Sequence, residues 1–98
     1  MVFTFRAEVW LWPGTSPWHF VSLPEELADL IAASSTDRGR RFGSVPVEVT
    51  VGDLTWRTSV FPDKKSGTFL LPLKKQVRQH LGCAVGDTLQ IEIQPTGL

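Results

Sequence analysis

Apolar and polar side chains alternate along most of this chain, and in two segments the rhythm lengthens to a helical one. Residues 3–12 place Phe3, Phe5, Ala7, Val9 and Leu11 on one face and Thr4, Arg6, Glu8, Trp10 and Trp12 on the other. That period of two marks a half-buried strand. Pro13-Gly14-Thr15-Ser16-Pro17 is a turn cluster. Trp18 to Leu23 then reads as a second strand, with His19, Val21 and Leu23 on one side, and a hairpin with the first is the natural pairing. Val45, Val47, Val49 and Val51, alternating with Pro46, Glu48 and Thr50, give the clearest strand in the chain. Pro46 places its start at an edge or a bulge. Gly52-Asp53 suits a two-residue hairpin turn. The return strand, Leu54 to Phe61, puts Trp56, Thr58 and Val60 on one face and Arg57, Ser59 and Phe61 on the other. After a turn over residues 62–67, Thr68 to Leu71 is a short strand. Leu89, Ile91 and Ile93, alternating with Gln90, Glu92 and Gln94, form the last one, entered from the turn at Gly86-Asp87.

The spacing predicts a helix over residues 24–33, with Leu23, Leu27, Leu30 and Ile31 on one stripe. Ser22 and Glu25 have capping-box spacing, and Pro24 suits a first turn. Glu25 and Glu26 complement the positive end of the helix dipole. Pro72 leads into a second helix, with Leu73, Val77 and Leu81 in line, Gly82 at the C-terminal cap and His80 near the negative pole. The element order is ββα–ββ–βαβ. At 98 residues this is one domain, residues 1–98. Its expected class is mainly β, a small barrel of about six strands with two short helices. Val21-Ser22-Leu23-Pro24 ahead of the first helix echoes Phe69-Leu70-Leu71-Pro72 ahead of the second, as two half-barrels of similar plan would.

Charge changes the picture more than composition does. The formal net charge is zero, which disfavours a general nucleic-acid binder. The zero hides an uneven distribution: residues 1–37 carry Arg6 against five acids, net −4. Residues 38–80 carry nine basic and three acidic side chains, net +6, and residues 81–98 only Asp87 and Glu92, net −2. A basic central segment points to an anionic partner, and the plainer alternative is a solvated face with its counter-charges folded nearby. Cys83 is the single cysteine, so no internal disulfide framework and no thiolate zinc site are expected, which suits a reducing cytosol. Residues 1–8 do not read as a signal peptide, and no apolar run reaches membrane-spanning length. The expectation is a cytoplasmic protein without membrane contact, a monomer or weak homodimer.

Two resemblances sharpen the fold. Phe69-Leu70-Leu71-Pro72, then Val77-Arg78-Gln79-His80-Leu81-Gly82, then Gly86-Asp87-Thr88-Leu89-Gln90-Ile91-Glu92-Ile93 resembles the repeating unit of the swapped-hairpin (antitoxin and transition-state regulator) DNA-binding domains. It departs from that unit by two extra residues between Pro72 and Val77. The chain as a whole, through Trp18-His19-Phe20-Val21, Leu23-Pro24, Phe42-Gly43-Ser44-Val45-Pro46-Val47 and the run from Trp56 to Pro72, is similar to the bacterial domain-of-unknown-function family numbered nineteen hundred and five. That resemblance implies a double-split β-barrel related to the swapped-hairpin regulators, made here by one chain. It implies no known activity.

Candidate chemistry is sparse. Lys74 and Lys75 fall in the first turn of the second helix, where cations oppose the dipole, and Lys64 and Lys65 lie just before the preceding strand. Together they suggest an anion site; the alternative is four solvated lysines guarding a strand edge. Arg38, Arg40 and Arg41 sit in a glycine-punctuated loop where arginine can clamp phosphate or carboxylate. Trp10, Trp12, Trp18 and Trp56 are candidates for stacking a ligand or for covering the barrel, and Arg57 follows Trp56 on the opposite strand face. Neither His19 nor His80 has a ligand cluster around it, so no metal is expected. Ser59 lies in no elbow motif, and no carboxylate pair suits acid–base work. The sequence therefore reads as a non-enzymatic binding module without cofactor. Its ligand-binding candidates are Arg41, Arg57, Lys64, Lys65, Lys74 and Trp18, and its expected partner an anionic small molecule or acidic protein. A regulator-like nucleic-acid-binding domain and a protein-partner adaptor are the alternatives.

Overall fold

The computed structural model describes residues 2–15, 17–34 and 43–96. The elements run β1 (Phe3–Glu8), β2 (Trp10–Leu11), β3 (His19–Ser22), α1 (Glu25–Ser34), β4 (Val45–Val51), β5 (Leu54–Asp63), β6 (Thr68–Pro72), α2 (Lys75–Leu81) and β7 (Thr88–Pro95). The described strands hydrogen-bond in the order β1-β7-β4-β5-β6-β3-β2, every pairing antiparallel. The two ends of that order, β1 and β2, are separated in the chain by Val9 alone. The sheet therefore closes on itself as a nearly complete barrel.

Closure depends on strands that serve two ladders. Leu54 to Val60 pair with β4, and Phe61 to Asp63 pair with β6. Likewise Phe3 to Glu8 pair with β7, and Trp10 and Leu11 with β3. At the first hand-over Val9 donates its N–H to the carbonyl of Asp87 at 2.9 Å, and its own carbonyl accepts from Gly86 N–H at 2.9 Å. The first strand expected from the sequence, residues 3–12, is thus broken at Val9, and the described barrel has seven strands where about six were expected. Val9 and Val60, the residues at the two hand-overs, are both fully buried.

The same pairings reveal internal two-fold order. Exchanging β1/β2 with β5, β3 with β6, α1 with α2 and β4 with β7 returns the same set of ladders. Leu23 N–H donates to the carbonyl of Phe69 at 3.0 Å, and Leu73 N–H to that of His19 at 2.9 Å. Leu23 therefore matches Leu73, each almost fully buried ahead of its helix. The echo of Pro24 with Pro72 is out of register by two residues: Lys74 occupies the place of Pro24.

The core is built by inward alternation. β4 buries Val45, Val47, Val49 and Val51 against Ile91 and Ile93, while β3 and β6 contribute Val21 and Leu71. Leu27, Ala28 and Ile31 of α1, with Leu73 and Val77 at α2, close the remaining space. Leu30, expected on the buried stripe, is exposed, because it lies roughly 60° round the helix axis from Leu27, on the side away from Ile31; Ala28 takes its place. Leu11, expected to face inward, is exposed as well: it pairs with His19 at the end of a two-residue ladder and does not reach the core. α2 starts at Lys75, so Lys74 is the extended residue that caps it rather than part of its first turn. Gly82 ends it in the left-handed conformation, φ 66°, and its N–H donates to the carbonyl of Arg78 at 2.8 Å.

The buried Thr68 hydroxyl donates to the carbonyl of Leu23 at 2.7 Å, tying β6 to the entry of α1. Thr68→Val leaves that carbonyl unpaired, so it is expected to cost about 1–3 kcal/mol, seen as a lower urea midpoint at unchanged m. Cys83 is half-buried against the core beyond the Gly82 cap, and burial pushes its thiol pKa up. A raised pKa leaves less thiolate near neutral pH. Iodoacetamide should therefore alkylate Cys83 more slowly in the folded protein than in the urea-unfolded chain at the same pH, and faster as pH rises.

Candidate functional site

Strand alternation gives the barrel an outer face as well as an inner one, and the two halves of that outer face differ. On the half formed by β1, β7, β4 and the first part of β5 the outward side chains are mostly polar, Pro46 being an exception. Glu48 and Arg57 approach to 3.7 Å there, and the hydroxyls of Thr50 and Thr55 lie 2.9 Å apart. On the half formed by β2, β3, β6 and the end of β5 they are apolar. The register pairs Trp10 with Phe20, Phe20 with Pro72 and Phe61 with Leu70, so these side chains lie on one surface. Phe20 and Leu70 point outward yet are buried.

Aromatic rings cover them. Phe20 is the hub, its ring centroid 5.5 Å from Trp10, 5.7 Å from Trp12 and 6.3 Å from Trp18, the last two meeting it edge-on. Trp10 and Trp12 stand 5.9 Å apart, and Trp10 Nε1–H donates to the Ser22 hydroxyl at 3.0 Å. That bond ties the indole to β3 and satisfies its one polar atom. Trp18 keeps 60 % of its surface exposed and Phe61 46 %, so the cover is partial.

The uncovered part is a groove of about 840 Å³, within the range that holds small ligands. Phe20, Phe61, Leu70 and Pro72 line it, with Trp12 and Trp18 along one side. Lys74, Lys75 and Arg78 stand at the end where β6 runs into α2, and Asp63 at the end where β5 turns into β6. Arg78 is half-buried, its Nε–H donating to the carbonyl of Leu73 at 3.0 Å. Its guanidinium is thereby fixed at the rim. Neither Lys74 nor Lys75 has a carboxylate partner among the described residues.

The structure brings together two of the six residues singled out from the sequence, Trp18 and Lys74, on this groove. Lys64 and Lys65 are exposed in the β5–β6 turn and do not line it. Arg57 lies on the polar half beside Glu48. Arg41, with Arg38 and Arg40, lies outside the described residues. His80 sits 3.3 Å from Asp53 in an exposed pair that links α2 to the β4–β5 turn, away from the groove.

Phe20, Phe61, Leu70, Pro72 and Arg78 escaped the sequence reading. One signal was present: Phe69-Leu70-Leu71 is an unbroken apolar run, which marks a strand covered on both faces. Arg78 follows Lys74 and Lys75 at the spacings that share one helix side.

No curated protein matches the chain. Residues 5–93 match the family model described as Domain of unknown function (DUF1905), and over that span, which takes in both the barrel and the groove, the chain belongs to this family.

Proposed function

We propose that the chain is a non-catalytic binding module whose groove holds an amphipathic anion. The observation that carries this reading is the joining of an apolar aromatic floor to a cationic end made by Lys74, Lys75 and Arg78. A ligand's apolar body gains from leaving water on Phe20, Phe61 and Leu70, and its anionic head gains from a fixed guanidinium and two mobile ammonium groups.

The internal two-fold order supports the assignment. At matching positions the entry to α1 reads Pro24-Glu25-Glu26 and the entry to α2 reads Lys74-Lys75-Gln76, Lys74 being its cap. The acids compensate the helix dipole, whereas the lysines oppose it, each at a cost of a few tenths of a kcal/mol. A bound anion would offset that cost, and a local departure of this kind is where function intrudes on folding. The groove's size favours a small molecule over an acidic protein surface. The single cysteine fits a reducing, cytoplasmic setting, and among the described residues no helix is long and apolar enough to cross a membrane.

Decanoate, an apolar chain with one carboxylate, is expected to raise the melting temperature and quench tryptophan fluorescence, and decanol to do so more weakly. The double variant Lys74→Glu/Lys75→Glu changes exposed side chains, so it should fold, and it should bind decanoate about tenfold more weakly, from a little over 1 kcal/mol of lost attraction. Raising the salt concentration should narrow the gap between decanoate and decanol. Equal affinity for the two compounds, unmoved by the double variant, would overturn the reading.

A further inference from the structure

The groove is charged at both ends, and this reaches beyond anion binding, though it rests on that reading of the site. β6 rises from Thr68, which pairs with Asp63, to Pro72, which pairs with Phe20, and two residues later reaches Lys74. Asp63 is therefore at one end of the strand and Lys74 at the other, roughly 13 Å apart or more for four residues of strand. Between them the outward side chains are Leu70 and Pro72, flanked by Phe61 and Phe20. The Asp63 carboxylate shares the outward side of β5 with Phe61 and lines the groove.

Its hydrogen bonds leave it available. Ser66 donates its N–H at 3.3 Å and its hydroxyl at 2.7 Å, and both bonds end on Oδ2. Oδ1 has no hydrogen bond or ion pair among the described residues. The Ser66 bonds hold the carboxylate in place without neutralising it. Lys64 and Lys65 stand in the same turn but neither forms an ion pair with Asp63 nor lines the groove.

We infer that the groove's ligand class is an apolar zwitterion, with an anionic head on Lys74, Lys75 and Arg78 and an ammonium on Asp63 Oδ1, separated by an apolar body as long as the β6 floor. An anion with a bare apolar tail fills the floor but leaves Asp63 unused. A short zwitterion, such as a free amino acid, cannot reach both ends.

The test compares decanoate with ω-aminodecanoate, which adds a terminal ammonium at similar length, on the full chain and on Asp63→Asn. Asparagine keeps an acceptor for Ser66, so the turn is retained. The affinity ratio of ω-aminodecanoate to decanoate is expected to fall about threefold in Asp63→Asn. An unchanged ratio overturns the inference. So does an equal gain for both ligands, which would make Asp63 a diffuse repulsive charge rather than a contact. Decanoate binding that responds to Lys74→Glu/Lys75→Glu while the ratio ignores Asp63→Asn leaves the anion site standing and removes only the zwitterion. Failure of both ligands to bind the unaltered chain removes both.

Discussion

Everything in this molecule depends on two stretches of strand that change partners midway. A flat antiparallel sheet with this many short strands would leave two unpaired edges, each a template for aggregation. Here the chain passes from the β7 ladder to the β3 ladder at Val9, and from the β4 ladder to the β6 ladder at Val60. Each hand-over bends the sheet without breaking its inward face, because the pivot is a fully buried valine. The β-branched side chain suits the extended backbone and fills the space where the two ladders diverge.

This manner of closing decides where a ligand can sit. The two helices are consumed inside the architecture: Leu27 and Ile31 from one and Val77 from the other pack into the core. α2 reaches the outer surface of β3 and β6 at one end, through Lys74, Lys75 and Arg78. Those central strands are apolar on both faces, with Val21 and Leu71 inward and Phe20 and Leu70 outward. The rest of their outer face must be covered by something other than a helix, and the tryptophans of the β2–β3 hairpin cover part of it. The groove is the remainder. An exposed apolar surface costs solubility, so its persistence beside three fixed or mobile cations is a physical argument for use.

Much of the fold was legible in the residues because inward positions keep their rhythm. Val45 to Val51, Ile91 and Ile93 all fall where alternation puts them. The break at Val9 was not legible, since Phe5, Ala7 and Val9 stay in phase across it; only the partner strand changes, and the β7 partner, some eighty residues or more away, leaves no mark on local pattern. The groove was half legible. Trp18 and Lys74 stand out by type, one as an exposed aromatic and the other as a cation at a helix start. Phe20, Phe61 and Leu70 are ordinary strand residues until β3, β5 and β6 are laid side by side. Arg57 shows the converse: it adjoins Trp56 in sequence, yet alternation sends the indole to the core and the guanidinium to Glu48.

The internal two-fold order supplies the last step. A barrel made of two like halves calls for like residues where packing decides, and at several core positions it has them. Val9 matches Val60, Val21 matches Leu71, Leu23 matches Leu73 and Leu27 matches Val77, all buried. Trp10 pairs with Phe20 as Phe61 pairs with Leu70, so the outward apolar surface is shared as well. Among the matched positions where the halves part company are Trp12 against Asp63, Trp18 against Thr68, Pro24 against Lys74 and Ala28 against Arg78. In each of these pairs at least one member lines the groove, and the charged members are its two poles. Packing does not require those differences, because the opposite half closes the same barrel without them. They set the groove apart from the matching surface of the other half.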